Sequence, residues 1–195
     1  MLSWLVSAQD NSPLDRMCDN VASSCVSLDY SYTARVSGID NKASGTLMSQ
    51  DENWTLKGNG VDMYCDGSTV WVVDSALKEV VIESLEDERQ TEFLTNPARI
   101  VVGLRDSFKV NTANPSSDGK SVVFSLVPLK GGDVEYLNVD IYKDTALIRN
   151  MSFAMKDGTL VKIEVSSMKL TPKVSDEAFR PQTVFDSKWI ITDLR

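Results

Sequence analysis

Between Val61 and Ile82 the chain reads as three short strands in succession, joined by Asp66-Gly67 and by Asp74-Ser75-Ala76. Asp-Gly supplies the positive φ of a tight hairpin turn, and the second turn is softer. The chemistry of this stretch is bare. It holds no histidine, no clustered carboxylates and no glycine-rich phosphate loop. A meander of this kind builds a surface or the wall of a pocket, so the first expectation is a binding protein.

Composition narrows the partners. The 195 residues suit one domain, and a chain of that size buries roughly 70% of its unfolded surface without needing a metal or a disulfide. Lys plus Arg are 20 against 28 Asp plus Glu, a net charge of -8. Nucleic acid and anionic headgroups select clustered basic residues, and no basic run is present. Histidine is absent, which removes Ser-His-Asp and Cys-His catalysis and most zinc sites. The expectation is a protein without a metal, a cofactor or an enzymatic activity.

The segment Leu2-Ser3-Trp4-Leu5-Val6-Ser7-Ala8-Gln9 resembles the end of a secretory apolar region, with Val6 and Ala8 at the small-residue positions. Residues 1–9 are therefore read as a signal-peptide remnant or a mobile start, and 10–195 as one domain. Nothing else approaches the ~18 apolar residues of a membrane span, so a soluble product without stable membrane insertion is expected. Cys18, Cys25 and Cys65 form no metal-ligand pattern. Cys18 and Cys25 cannot bridge within one helix, where seven residues separate them by ~10 Å. Cys25 with Cys65 is the pairing open to two strands, and three buried thiols acting as small hydrophobes is the other reading.

Ser12-Pro13 supplies an N-cap and an N1 proline, and Leu14, Met17 and Val21 recur at helical spacing to about Ala22. From Val26 the period becomes two, with Tyr30, Tyr32, Ala34 and Val36 on one face, and the chain is expected to turn at Gly38–Asn41. Further strands are read at 44–49, 53–57, 60–65, 69–73, 79–83, 108–112, 121–128, 135–142, 146–156, 159–170 and 189–193. Glu83–Glu92 reads as a charged loop, and Asn96-Pro97 opens a second helix through Leu104. About eleven strands and two helices linked by hairpins make the fold mainly β. The expected form is a single curved antiparallel sheet, an open half-barrel, with the helices covering its concave face.

The order of these features resembles the LolA-like outer-membrane lipoprotein carriers. The resemblance rests on the opening helix, the hairpin Asp66-Gly67-Ser68-Thr69-Val70-Trp71, the Asn96-Pro97 helix and the closing turn Lys156-Asp157-Gly158-Thr159. Phe179-Arg180-Pro181 and Trp189-Ile190-Ile191-Thr192-Asp193-Leu194-Arg195 look like the end of such chains. The resemblance implies an exported, periplasmic protein of a Gram-negative cell that carries acylated lipoproteins from inner to outer membrane, and the absence of histidine and metal-ligand spacing together with the net charge of -8 makes a monomer the expectation. It also implies an inner-membrane release complex as donor and an outer-membrane acceptor, with acyl chains held between the half-barrel and its helical lid. Burying methylenes offers ~0.8 kcal/mol each, enough to carry cargo without any chemistry. The family's early-strand lid arginine has no match in Gly45–Gln50, where Arg35 and Arg105 are substitutes by type alone.

Under this reading Met17, Trp54, Trp71, Ile100, Val101, Leu104, Met151, Phe153 and Met155 are the candidate lining of an apolar cavity, methionine adapting to variable apolar ligands. Each also reads as ordinary core. Glu135, Asp140 and Asp144 read as a solvated strand face. Asn53-Trp54-Thr55 and Asn150-Met151-Ser152 match the glycosylation pattern, unused in a bacterial chain. The rival reading is a sensory or assembly protein of the envelope on the same sheet, binding a protein or envelope component.

Overall fold

A computed structural model describes residues 12–58, 60–85 and 103–195. Helix α1 (Pro13–Ser23) begins as its residue types dictate: Ser12 Oγ accepts from the Asp15 backbone N–H at 3.2 Å, Pro13 occupies the first turn, and Asp15 stands at the positive end of the helix dipole. Its apolar stripe buries Met17 and Val21, with Leu14 and Cys18 partly covered. Burial of that kind is worth about 1.5–3 kcal/mol for each fully buried side chain. The chain turns extended at Ser24 and enters the sheet.

The strands are β1 (Cys25–Val36), β2 (Ile39–Gln50), β3 (Asn53–Gly58), β4 (Val61–Asp66), β5 (Thr69–Asp74) and β6 (Glu79–Ser84). After a one-turn helix α2 (Leu104–Ser107) come β7 (Phe108–Pro115), β8 (Ser121–Pro128), β9 (Val134–Tyr142), β10 (Ile148–Met155), β11 (Leu160–Thr171) and β12 (Ile190–Asp193). Among the described residues they form one open sheet of 12 strands in the order β12-β6-β5-β4-β3-β2-β1-β11-β10-β9-β8-β7. The fold is mainly β, as the sequence indicates. Hairpins account for every neighbour pair except β1 with β11, which closes the two meanders on each other, and β12 with β6.

Three local expectations are corrected. The turn after β1 falls at Ser37-Gly38, both left-handed at φ 51° and 83°, so Ile39 already pairs with Val36 and β2 runs the full length of β1. A two-residue turn with positive φ at both positions matches strand twist, and Gly38 carries the cost-free half of it. Ala146 belongs to the turn before β10, at φ 55°. The last strand pairs parallel to β6, not antiparallel, because it arrives by a long connection across the sheet. Of the expected second helix, the part from Asn96 to residue 102 lies outside the described residues, as does the charged stretch after Leu85.

The two faces of the sheet differ. Register aligns Leu28, Leu47, Leu56, Met63 and Val72 across β1 to β5 on one face. The same face carries Ile163, Met151, Val139 and Phe124 across β11 to β8. These residues join Met17 and Val21 of α1 in the main apolar cluster, and this is called the inner face below. On the outer face of β5 and β6, Val73, Val80 and Ile82 pack with Tyr64, Trp71, Phe185 and Trp189 in a second cluster. The tail after β11 makes that cover. Gln50 and the Val174 backbone exchange bonds of 2.8 and 3.0 Å, Asn53 donates to Asp176 at 2.7 Å, and Arg180 pairs with Asp66 at 2.8 Å. Phe179, in the 3-10 turn Asp176–Phe179, is fully buried there.

Candidate ligand-binding site

On the inner face the structure brings together Met17 from α1, Leu104 from α2, Trp54 from β3 and Met151, Phe153 and Met155 from β10, all in one buried cluster. Strand alternation explains the β10 set, since Met151 and Phe153 lie two apart and face their partners Val139 and Leu137 across the ladder. Met63 and Met168 border the same cluster, adding thioethers that adapt to varied apolar shapes. Trp71 is elsewhere: it sits on the outer face against the tail residues Phe185 and Trp189, whose rings meet edge-on at 5.0 Å. Ile100 and Val101 lie outside the described residues.

Coverage by this apolar interior thins along β1. Val26 and Leu28 are buried, Tyr32 and Ala34 only partly, and Val36 and Ile39 are exposed. Tyr30 and Tyr32 stack with centroids 6.5 Å apart at this transition. Burial, with the neighbouring Tyr32 adding to it, pushes the Tyr30 hydroxyl up to about 12. It therefore stays neutral at any ordinary pH. These tyrosines escaped the sequence reading of the site, although their alternation with Ala34 and Val36 carried the signal.

Polar contacts hold α1 in place at its exposed side. Arg16 donates to the backbone carbonyls of Lys143 and Asp144 in the β9–β10 turn, the latter at 3.3 Å. Arg105 of α2 reaches Asp19 at 2.9 Å and donates to the Asp15 carbonyl at 3.1 Å. So Arg105 ties the two helices to each other and Arg16 ties α1 to the sheet. Arg35 does neither; it forms a two-point pair with Asp40 at 2.7 and 3.0 Å inside its own hairpin.

Burial pushes the Cys18 thiol up, against an opposing pull from Arg105. Cys25 and Cys65 lie on opposite faces of the sheet, Cys65 with Trp54 and Val70 inside and Cys25 one residue out of phase with Val26, so their side chains diverge. Among the described residues no group of three or more Cys, Asp or Glu side chains is placed to hold a metal ion. No helix among them is long and apolar enough to cross a membrane.

The profile of the family described as outer membrane lipoprotein carrier protein LolA matches residues 53–182 of the 195. The chain belongs to the LolA family. That match runs from β3 to just past Phe179 and includes every candidate lining residue except Met17. Among solved structures, an uncharacterized conserved protein from Thermus thermophilus is 12% identical, with 93% of this chain and 96% of that chain covered, at a TM-score of 0.58. A LolA superfamily protein from Nitrosomonas europaea is 10% identical over 86% of this chain and 97% of that chain, at a TM-score of 0.44. The Thermus likeness shows a shared fold. No curated protein matches the chain.

Proposed function

We propose that this LolA-family chain is a periplasmic carrier that holds the acyl chains of lipoproteins between the inner sheet face and a cover formed by α1 and α2, and hands them on unchanged to an acceptor at the outer membrane. The observation that carries the reading is the methionine-rich inner face, where Met17 and Leu104 of the two helices share one buried cluster with Met151, Phe153 and Met155. Those side chains are buried from solvent, and an acyl chain enters by displacing α1 and taking its place on the sheet.

The energetics suit such an exchange. α1 contributes few large apolar side chains and is otherwise held by the Arg16 and Arg105 contacts at a solvated surface. A dozen methylenes offer roughly 10 kcal/mol on burial, enough to offset losing Met17 and Val21 from the interior. When the cargo leaves, the helix returns and the interior closes. Release then needs only an acceptor that binds the chain better. The described side chains supply no step that alters the cargo, and with a net charge of -8 the carrier is not drawn onto anionic membrane surfaces. It acts as a monomer and not as an enzyme.

The test is binding of a fluorescent fatty acid, its displacement by a synthetic lipopeptide, and transfer of that lipopeptide to acceptor vesicles with its mass followed. Leu104→Glu places a charge in the apolar interior and should abolish probe binding. A folded Leu104→Glu protein with unchanged affinity overturns the site. No acyl binding by the wild-type protein favours instead a sensory or assembly role on the same sheet, with the buried interior as plain core. A mass change in the lipopeptide makes the protein an enzyme.

A further inference from the structure

One free edge of the sheet lies inside it. β1 pairs with β2 from Ser49 out to Ile39, while β3 pairs with β2 only from Gln50 to Thr46. Among the described residues no strand therefore lies against β2 from Ile39 to Ser44, an open stretch of ~20 Å. The step is fixed where β3 ends, because a Cβ on Gly45 would meet the Lys57 carbonyl and one on Gly58 the Ser44 carbonyl. Backbone direction follows from the turn. A two-residue turn makes Val36 and Ile39 a hydrogen-bonded pair, and alternation makes Ala34 with Asn41 and Tyr32 with Ala43 pairs of the same kind. The N–H and C=O groups of Asp40 and Lys42 then point away from β1, into the step.

The outermost strands are blunted by comparison. β7 carries a register slip between Val110 and Thr112 and ends in Pro115, and β12 is only four residues long. The open stretch of β2 keeps an unbroken register with β1 and contains no proline. Its two faces differ. On the inner side Val36 and Ile39 are 43% and 67% exposed, and they continue the row of Tyr32 and Ala34 out of the buried interior. On the outer side Arg35 holds Asp40 at 2.7 and 3.0 Å, whereas Lys42 makes no ion pair among the described residues and acts on Asp40 only at a distance. A lysine on an edge discourages apolar strands, and by the same charge it favours one that brings a carboxylate.

We propose that this stretch of β2 takes the polypeptide of the cargo as an added antiparallel strand: an extended segment acylated at its N-terminus, with a carboxylate opposite Lys42 and apolar side chains on either side of it. The inference rests on the carrier reading above. Direction selects the occupant. β2 runs inward from Ile39 to the buried Leu47, so an antiparallel strand begins at the interior, beside Ser44, and leaves past Ile39 into solvent. Its N-terminus is the end that meets the acyl site, and a chain acylated there seats both parts at once. Joining the two makes the second contact intramolecular, which raises affinity beyond that of either part. The residue opposite Lys42 exchanges two backbone bonds with it, and its carboxylate lies on the outer face with the Lys42 ammonium. Its neighbours fall beside Asn41 and Ala43 on the inner face, where they cover Ile39.

The experiment titrates the full chain with palmitate, with N-palmitoyl-Ser-Val-Glu-Val-Gly and with the same lipopeptide N-methylated at its glutamate, and follows residue-resolved amide exchange by NMR. The lipopeptide should slow exchange at Asp40 and Lys42, and palmitate should not. N-methylation removes one backbone bond and obstructs a second, so affinity should fall at least about tenfold. Lys42→Pro should give the same fall with the unmethylated lipopeptide and leave palmitate binding unchanged, since the lost N–H lies outside the β1 ladder. Lys42→Glu keeps that N–H and should weaken the lipopeptide severalfold by setting like charges opposite each other. Palmitate binding with no difference between the two lipopeptides, or a lipopeptide affinity that neither variant changes, overturns this proposal and leaves the carrier reading standing. Failure of palmitate and lipopeptide alike to bind overturns the carrier reading and this proposal with it.

Discussion

Phe153→Ala separates a carrier interior from an ordinary core. Phe153 is 4% exposed, faces Leu137 and Val161 in the ladder, and lies in the same cluster as Met17 of α1. Truncating a buried phenylalanine costs about 3–5 kcal/mol, part lost transfer energy and part the void left behind. If acyl chains occupy this interior, the void is also new room for them, and each methylene that enters recovers about 0.8 kcal/mol. A ligand present at roughly 100 times its Kd adds about 2.7 kcal/mol to the stability of the folded state, so a tighter complex shows directly in unfolding. The assay is urea unfolding with and without a saturating fatty-acid probe, alongside probe titration. Phe153→Ala should lose stability in the apo form, bind the probe more tightly than wild type, and regain most of the loss when loaded. Phe179→Ala is the control: it is equally buried, but it belongs to the tail's 3-10 turn and lies outside the main cluster. It should lose a similar amount and gain nothing extra from the probe. Equal rescue of the two variants, or unchanged probe affinity in Phe153→Ala, refutes the inner-face site.

Arg16→Ala removes the bonds to the Lys143 and Asp144 carbonyls and should cost on the order of 1 kcal/mol while speeding hydrogen exchange in α1 alone; an increase spread over the whole sheet would contradict its role as a helix tie. Gly45→Ala would put a Cβ 2.4 Å from the Lys57 backbone oxygen and 3.2 Å from the Tyr30 hydroxyl, so a loss of about 1–3 kcal/mol is expected in urea unfolding. Gly131→Ala, with nothing within 4 Å, should be neutral, and equal effects at both positions would count against the packing argument. Burial alone would raise the Asp66 carboxyl, but bonds from Thr69, Ser68 and Arg180 outweigh it and hold it below 3.8. Its contribution is therefore present above that pH and lost as pH falls through the depressed value. Near-UV circular dichroism of the Trp71 and Trp189 cluster should fade over that acid range and do so less in Asp66→Asn; identical profiles would detach the tail from this carboxylate.

Much of this architecture was legible in the residues because the forces that specify it are local. Ser12-Pro13 and the Leu14, Met17, Val21 spacing make α1, period-two alternation makes the strands, and Asp66-Gly67 and Asp157-Gly158 make their turns. Absent histidine and a scattered, acidic charge set likewise bounded the chemistry before any fold was known. Alternation assigns residues to two faces, but it does not say what lies over each. In β5 both faces are apolar, Val70 and Val72 on one and Trp71 and Val73 on the other, so nothing within the strand distinguishes interior from exterior. Trp54 went to the main cluster and Trp71 to the tail's because Phe185 and Trp189, far along the chain, return to cover one side. The parallel pairing of β12, the tie from Arg16 to the β9–β10 turn and the alignment of Asp140 with Glu164 across β10 are of the same kind. Such contacts join residues distant in sequence, and their free energy is gained only once the whole sheet has set the register, so only the tertiary structure decided them.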